Sequence, residues 1–265
     1  MTTWLLFWSA WEWHPSELIG CFGLVAVYFG VVRPLRRRRC VAFVAGTLIL
    51  LLTLAGPLDV LGDEYLFSMH MLEHLVFLEI VPPLLVLGLP QEAVDRLLRP
   101  SPLRFVERRL SRPWAAWMSG ILPVYLWHLP TLYNAALADE QVHAMEHLSF
   151  LIGATVLWWP VIAPAPAHAM KPHHGMLYLG VAAVANSVLG AVLTFGSPGL
   201  YPWYTRPTGD SAALALIRDG WGIDPRSDLQ LGGMYMWVVG GLFFLFAIMT
   251  VYARWYRHSG EAGIP

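Results

Sequence analysis

Residues 70–74 read HMLEH and residues 143–147 read HAMEH, so the pattern His-x-x-Glu-His occurs twice in one chain. The match extends to HMLEHLVFL against HAMEHLSFL, at a constant offset of 73 residues. On a helix, histidines at i and i+4 share one face. His70 and His74 can therefore bind one metal ion together, or each can join ligands from a neighbouring helix, and the same holds for His143 and His147. Glu73 and Glu146 are placed to ligate, or to orient an imidazole by accepting its hydrogen bond. Sulfur lies close by: Met69, Met71 and Met145 flank the motifs, and Met234 and Met236 fall in DLQLGGMYMW near the C-terminus. Imidazole with thioether suits Cu(I), whereas carboxylate-rich sets suit harder ions. A methionine is also a flexible apolar filler, and Met69 and Met71 lie on helix faces different from that of His70.

The elements that must position these groups are membrane helices. The chain has 265 residues, 57% of them hydrophobic and only 13% charged, with mean hydropathy +0.53 and thirteen Trp. A soluble domain carries nearer a quarter charged residues. Crossing a bilayer takes about 20 apolar residues, and seven stretches qualify: 17–32, 40–57, 65–88, 114–136, 142–162, 175–196 and 230–253. The expected fold is all-α: one integral membrane domain over residues 1–265 with seven transmembrane helices. Residues 1–16 read as an outer segment along the interface rather than a signal peptide, having no basic start.

Charge gives the orientation. Fourteen Arg and Lys lie on alternate connections, including RPLRRRR at 33–39 and six Arg between 96 and 112, against Arg206, Arg218 and Arg226 on the other side. The positive-inside rule places the N-terminus outside and the C-terminus in the cytoplasm. The outer connections are acidic (LDVLGDE, ADE), and residues 197–229 form the one long outer loop. The arginine run sets orientation and contacts lipid phosphates; a nucleic-acid role does not suit it.

At about 1.5 Å per residue, His70, His74, His143 and His147 fall in one band near the outer surface. His128, in YLWHLP on the fourth span, falls in the same band. Five histidines on three helices thus converge, and ionisable groups at that depth are expensive enough to imply function. The alternative is a polar network that joins helices. The candidate metal ligands are His70, His74, His128, His143, His147, Met234 and Met236, with Glu73 and Glu146 behind them. Glu79, in mid-membrane before Pro82 and Pro83, either relays protons or pairs with Asn186 or Ser187. His168, His173 and His174 read as a solvated cytoplasmic loop, and His14 as an interfacial residue. Cys21 and Cys40 form neither a C-x-x-C pair nor a disulfide framework.

The segments MHMLEHLVFL, LWHLPTLYNAAL, VHAMEHLSFL, LTFGSPGLYPWY and DLQLGGMYMW, in that order over about 170 residues, resemble the CtaG-type cytochrome c oxidase assembly factors of bacteria. The resemblance implies a multi-pass protein of the bacterial plasma membrane, not an enzyme. It implies delivery of copper from an outer-side donor to the CuB centre in the large subunit of the oxidase. It carries onto His70, His74, His128, His143 and His147. The family's last segment reads Asp-Gln-x-x-Gly-Gly; here Leu229 separates Asp228 from Gln230, which leaves their roles open. Two other readings compete. His-x-x-Glu-His is also the signature of inverzincin metalloproteases, with two zinc ligands and a catalytic Glu. Histidines on facing helices can also ligate haem.

Overall fold

The computed structural model describes residues 1–33, 35–99, 101–164, 169–207 and 209–261, and among them all regular structure is helical. In order the helices are α1 (Thr3–Ser9), α2 (Pro15–Val31), α3 (Arg37–Leu54), α4 (Pro57–Glu64), α5 (Phe67–Leu75), α6 (Val81–Gly88), α7 (Gln91–Leu97) and α8 (Ser101–Leu110). They continue with α9 (Pro113–Trp127), α10 (Pro130–Ala138), α11 (Glu140–Ile162), α12 (Pro172–Thr194), α13 (Pro202–Thr205), α14 (Ser211–Ala215), α15 (Pro225–Met234) and α16 (Gly240–Glu261). Much of the proline content is used at helix starts: Pro15, Pro57, Pro113, Pro130, Pro172 and Pro225 each occupy a first helical position. The missing N–H costs nothing there.

Among the described residues, five helices are long and apolar enough to cross a membrane: Arg37–Glu64, Phe67–Gly88, Glu140–Ile162, Pro172–Thr194 and Pro225–Arg257. Pro15–Val31 is a shorter apolar helix. In the second and fifth of the long helices a π-helical turn joins two α segments, at Val76–Ile80 and Tyr235–Val239. The bundle packs α11 on α9, α12 on α15 and α16, and α3 on α6.

The fourth expected span, 114–136, is not one helix. Proline disfavours helical geometry in the residue before it, and Leu129, ahead of Pro130, is extended at φ −65° and ψ 131°. The helix stops at Trp127, and α10 sets off anew. The break falls at His128, whose carbonyl is left free to accept a 2.8 Å hydrogen bond from the Tyr201 hydroxyl.

The segment 197–229, expected as a long loop, is folded onto the same end of the bundle. Tyr201 and Tyr204 are buried. The Tyr204 hydroxyl donates to Gly62 O at 2.8 Å and Trp203 Nε1 to Asp63 O at 2.7 Å. Arg218 donates to the carbonyls of Ile223 and Tyr204 at 2.6 and 3.0 Å. Burial holds the Tyr204 phenol well above its ordinary range, so it stays a neutral donor. The bonds from Trp203 and Tyr204 tie this segment to α4, which itself packs on α5. The approach is close enough that a Cβ at Gly62 would lie 2.9 Å from His70 N, which is why glycine stands there.

Candidate metal centre

The first motif depends on a cap from a distant helix. Phe67 N and Ser68 N, orphan donors at the start of α5, donate to Asp228 Oδ2 and Oδ1 at 2.8 and 3.0 Å. Asp228, on α15, is fully buried, and its negative charge also suits a helix N-terminus. This is the role that the sequence left open for it. Asp228→Ala should destabilise the protein by about 1–3 kcal/mol for each N–H left unpaired. A detergent-solubilised variant that melts at the wild-type temperature would show that the cap is dispensable.

The five histidines converge as the spacing predicts. The rings of His70 and His143 stack with centroids 5.3 Å apart at 22°. His74 lies 4.3 Å from His70, 6.1 Å from His147 and 5.5 Å from His128, centroid to centroid. His70, His74 and His147 each bring one ring nitrogen within 4.8 Å of the other two, a separation that one ion can bridge.

The residue that organises them is Asp63, on α4, which the sequence reading passed over as part of an acidic connection. Its Oδ1 lies 3.2 Å from His70 Nδ1 and its Oδ2 3.2 Å from His143 Nδ1. A carboxylate only accepts, so both Nδ1 atoms carry hydrogen, and in the neutral rings both Nε2 atoms keep their lone pairs. Among the described residues neither His70 Nε2 nor His143 Nε2 has a hydrogen-bond partner. One carboxylate thus fixes two imidazoles in the metal-binding tautomer.

The second histidine of each motif faces the glutamate of the other. His74 Nε2 is 3.6 Å from Glu146 Oε1, and His147 Nε2 is 3.8 Å from Glu73 Oε2. These separations exceed hydrogen-bond length. Both oxygens of Glu73 and of Glu146, both ring nitrogens of His74, and His147 Nε2 are buried with no partner in hydrogen-bond geometry among the described residues. Leaving a buried polar group unsatisfied costs about 1–3 kcal/mol, and the members of this set do not meet that need for one another at these separations.

His128 joins from the break between α9 and α10. Its Nδ1 donates to Val124 O at 2.7 Å. Its Nε2, 3.2 Å from Met71 Sδ, forms a nitrogen–sulfur pair beside the other rings. Met71 is fully buried, as is Met236, which packs in the apolar core. Met234 is 45% exposed and Met145 56%, so both point away from the buried rings. The thioether that the structure sets against an imidazole is therefore that of Met71.

A cavity of about 590 Å³ reaches the cluster from one side and is lined by His143, His147, Asp59, Asp63, Glu17 and Glu140 among others. His14 stands at this cavity, 3.5 Å from Glu12. Glu79 and Asn186 line a separate small cavity. His173 and His174 open α12, and His168 lies outside the described residues.

Comparison with known proteins gives the following. A family model described as cytochrome c oxidase caa3 assembly factor matches residues 26–258. An uncharacterized protein of Mycobacterium bovis is 25% identical over 283 residues, covering 93% of this chain, and one of Mycobacterium leprae is 23% identical over 277 residues, covering 95%. The chain spans 40% of the length of these curated relatives. No solved structure matches.

Proposed function

Because the chain belongs to the cytochrome c oxidase caa3 assembly factor family, we propose that it is a copper carrier of the bacterial plasma membrane, which accepts Cu(I) from an outer-side donor and hands it to the CuB centre of the oxidase large subunit. The observation that carries this reading is the nitrogen set of His70, His74 and His147, within 4.8 Å of one another. Beside it sits the soft His128–Met71 pair, and thioether with imidazole is the donor chemistry of Cu(I). Transfer proceeds by ligand exchange, one histidine at a time, to the incoming ligands of the oxidase. Asp63 holds His70 and His143 in the tautomer that can take the ion back or release it without a proton transfer. The test is anaerobic titration of the purified protein with Cu(I) against a competing chelator. About one to two ions should bind, and no binding above that of a histidine-free membrane control would overturn the reading.

The geometry favours this reading over its rivals. A protease needs a glutamate open to water, and Glu73 and Glu146 are both fully buried. A haem needs a slot, whereas His74 packs against Phe150 at 4.7 Å and His147 against Phe77 at 4.5 Å.

The reading requires the site to face outward, with Pro15–Val31 and the broken fourth helix completing seven spans. The arginine-rich connections then lie in the cytoplasm, and the folded segment 197–224 lies outside. Reporter fusions after residues 35 and 105 should read cytoplasmic and one after residue 210 external. An external reading at 105 would invert the site and remove its access to an outer-side donor.

A further inference from the structure

We propose that Asp59, Glu73 and His147 form a second metal subsite for a divalent transition-metal cation, with Asp59 and His147 on the wall of the acidic cavity and Glu73 buried behind them, and that it shares His147 with the nitrogen set described above. The subsite itself does not depend on the copper reading; only its effect on Cu(I) does. Each of the three side chains offers an atom within 4.8 Å of the other two. They come from three helices, α4, α5 and α11. Glu73 is fully buried, its carboxyl faces that of Asp59, and among the described residues neither of its oxygens is within hydrogen-bond geometry of a partner. Its Oε2 is directed at His147 Nε2, 3.8 Å away, which is also unpartnered.

The surroundings favour a cation of higher charge than Cu(I). Asp59 and His147 line the cavity together with Glu12, Glu17, Glu64 and Glu140, and no lysine or arginine lies among the described lining residues. A concave wall of one sign focuses the field and concentrates counter-ions. Two carboxylates and one imidazole make an oxygen-rich set that suits zinc-class divalent ions, whereas His70, His74 and the His128–Met71 pair are nitrogen and sulfur.

The shared ligand sets the relation between the two ions. His147 Nε2 has one lone pair and binds one metal. A divalent ion on Asp59 and Glu73 takes His147 with it and leaves Cu(I) on fewer histidines. Cu(I) in turn draws His147 inward. The coupling is negative, and it is reciprocal by thermodynamic necessity.

The experiment uses the full chain in detergent micelles under anaerobic conditions, with Co²⁺ as the probe because its visible absorption reports oxygen–nitrogen coordination. Wild-type protein should bind one Co²⁺. Saturation with Cu(I) should weaken Co²⁺ binding by about 10- to 100-fold, the scale of losing a well-placed group from a metal site. Asp59→Asn should weaken Co²⁺ by a similar factor and leave Cu(I) affinity within about threefold. Asp59→Ser removes the same donor with less bulk and decides the point if the asparagine variant does not accumulate. Unchanged Co²⁺ affinity in the accumulating variant overturns the subsite. So does a wild-type protein that binds Cu(I) but no Co²⁺, while the copper reading stands. Full, mutually indifferent loading with both ions overturns the sharing of His147. If Cu(I) binds nowhere and Asp59→Asn still removes Co²⁺, the copper reading falls and the subsite stands.

Discussion

Replacing His70 and His74 together with alanine should lower Cu(I) affinity by on the order of 10⁴-fold. Structural metal sites with four ligands are worth about 10–16 kcal/mol, roughly 3 kcal/mol per ligand, and each such step is about 100-fold in affinity. The pair is chosen because, among the described residues, His70, His74 and His147 are the set that brings three ring nitrogens within 4.8 Å. Two of the three are lost together, and both lie on α5. Asp63→Asn should give a smaller, diagnostic loss of about 10- to 100-fold, the range for a group that orients a metal ligand. Asparagine offers only one accepting oxygen, so His70 and His143 can no longer both be held through Nδ1. The measurement is competition for Cu(I) with a chelator of known affinity, alongside thermal melting in the same detergent. A double variant that melts normally and binds Cu(I) within tenfold of wild type would place the ion elsewhere.

How much of this was legible in the sequence follows from what each signal depends on. The membrane helices and the convergence of five histidines depend on hydropathy and on helical spacing alone, and both are local. Asp63 depends on a turn. The chain reverses at Tyr65 and Leu66, so α4 packs back on α5 and brings a residue seven positions before His70 into contact with it. Nothing in LDVLGDE announces that reversal, although Gly62 is where the two helices touch. Asp59 escaped for the same reason. The break at His128 was available in principle, because Pro130 constrains Leu129, but hydropathy runs smoothly across it. Which thioether meets an imidazole depends on helix faces. Met234 and Met236 fall at a suitable depth, but one is exposed and the other faces the apolar core, whereas Met71 meets a histidine from another helix. Asp228 could be assigned only when its partners, Phe67 and Ser68, some 160 residues away, were in place.

The functional test with the sharpest outcome is His128→Ala in the living cell. This histidine belongs to neither His-x-x-Glu-His motif, so a protease or a haem protein built on those motifs has no need of it. A copper carrier does. The His128 ring is held by Val124 O and aimed at Met71 Sδ, and its centroid is 5.5 Å from that of His74. In the proposed transfer, the His128–Met71 pair would offer the next soft donors to an ion leaving the nitrogen set. The strain should assemble the oxidase large subunit with its haems but with CuB depleted, and added copper should partly restore activity by mass action. Truncating His128 should cost the protein no more than about 1–3 kcal/mol, because the Val124 carbonyl still accepts the backbone N–H of residue 128 at 3.2 Å and Tyr201 still holds the chain through the His128 carbonyl. The variant should therefore persist in the membrane. Protein abundance by immunoblot, haem by optical spectrum and copper per oxidase by elemental analysis separate the outcomes. Full copper occupancy in the oxidase of a strain that contains the variant at normal abundance would remove His128 from the transfer route. A His128→Met strain discriminates further. Methionine keeps a soft donor without the imidazole, so metallation retained there but lost with alanine would show that the position serves as a ligand to copper.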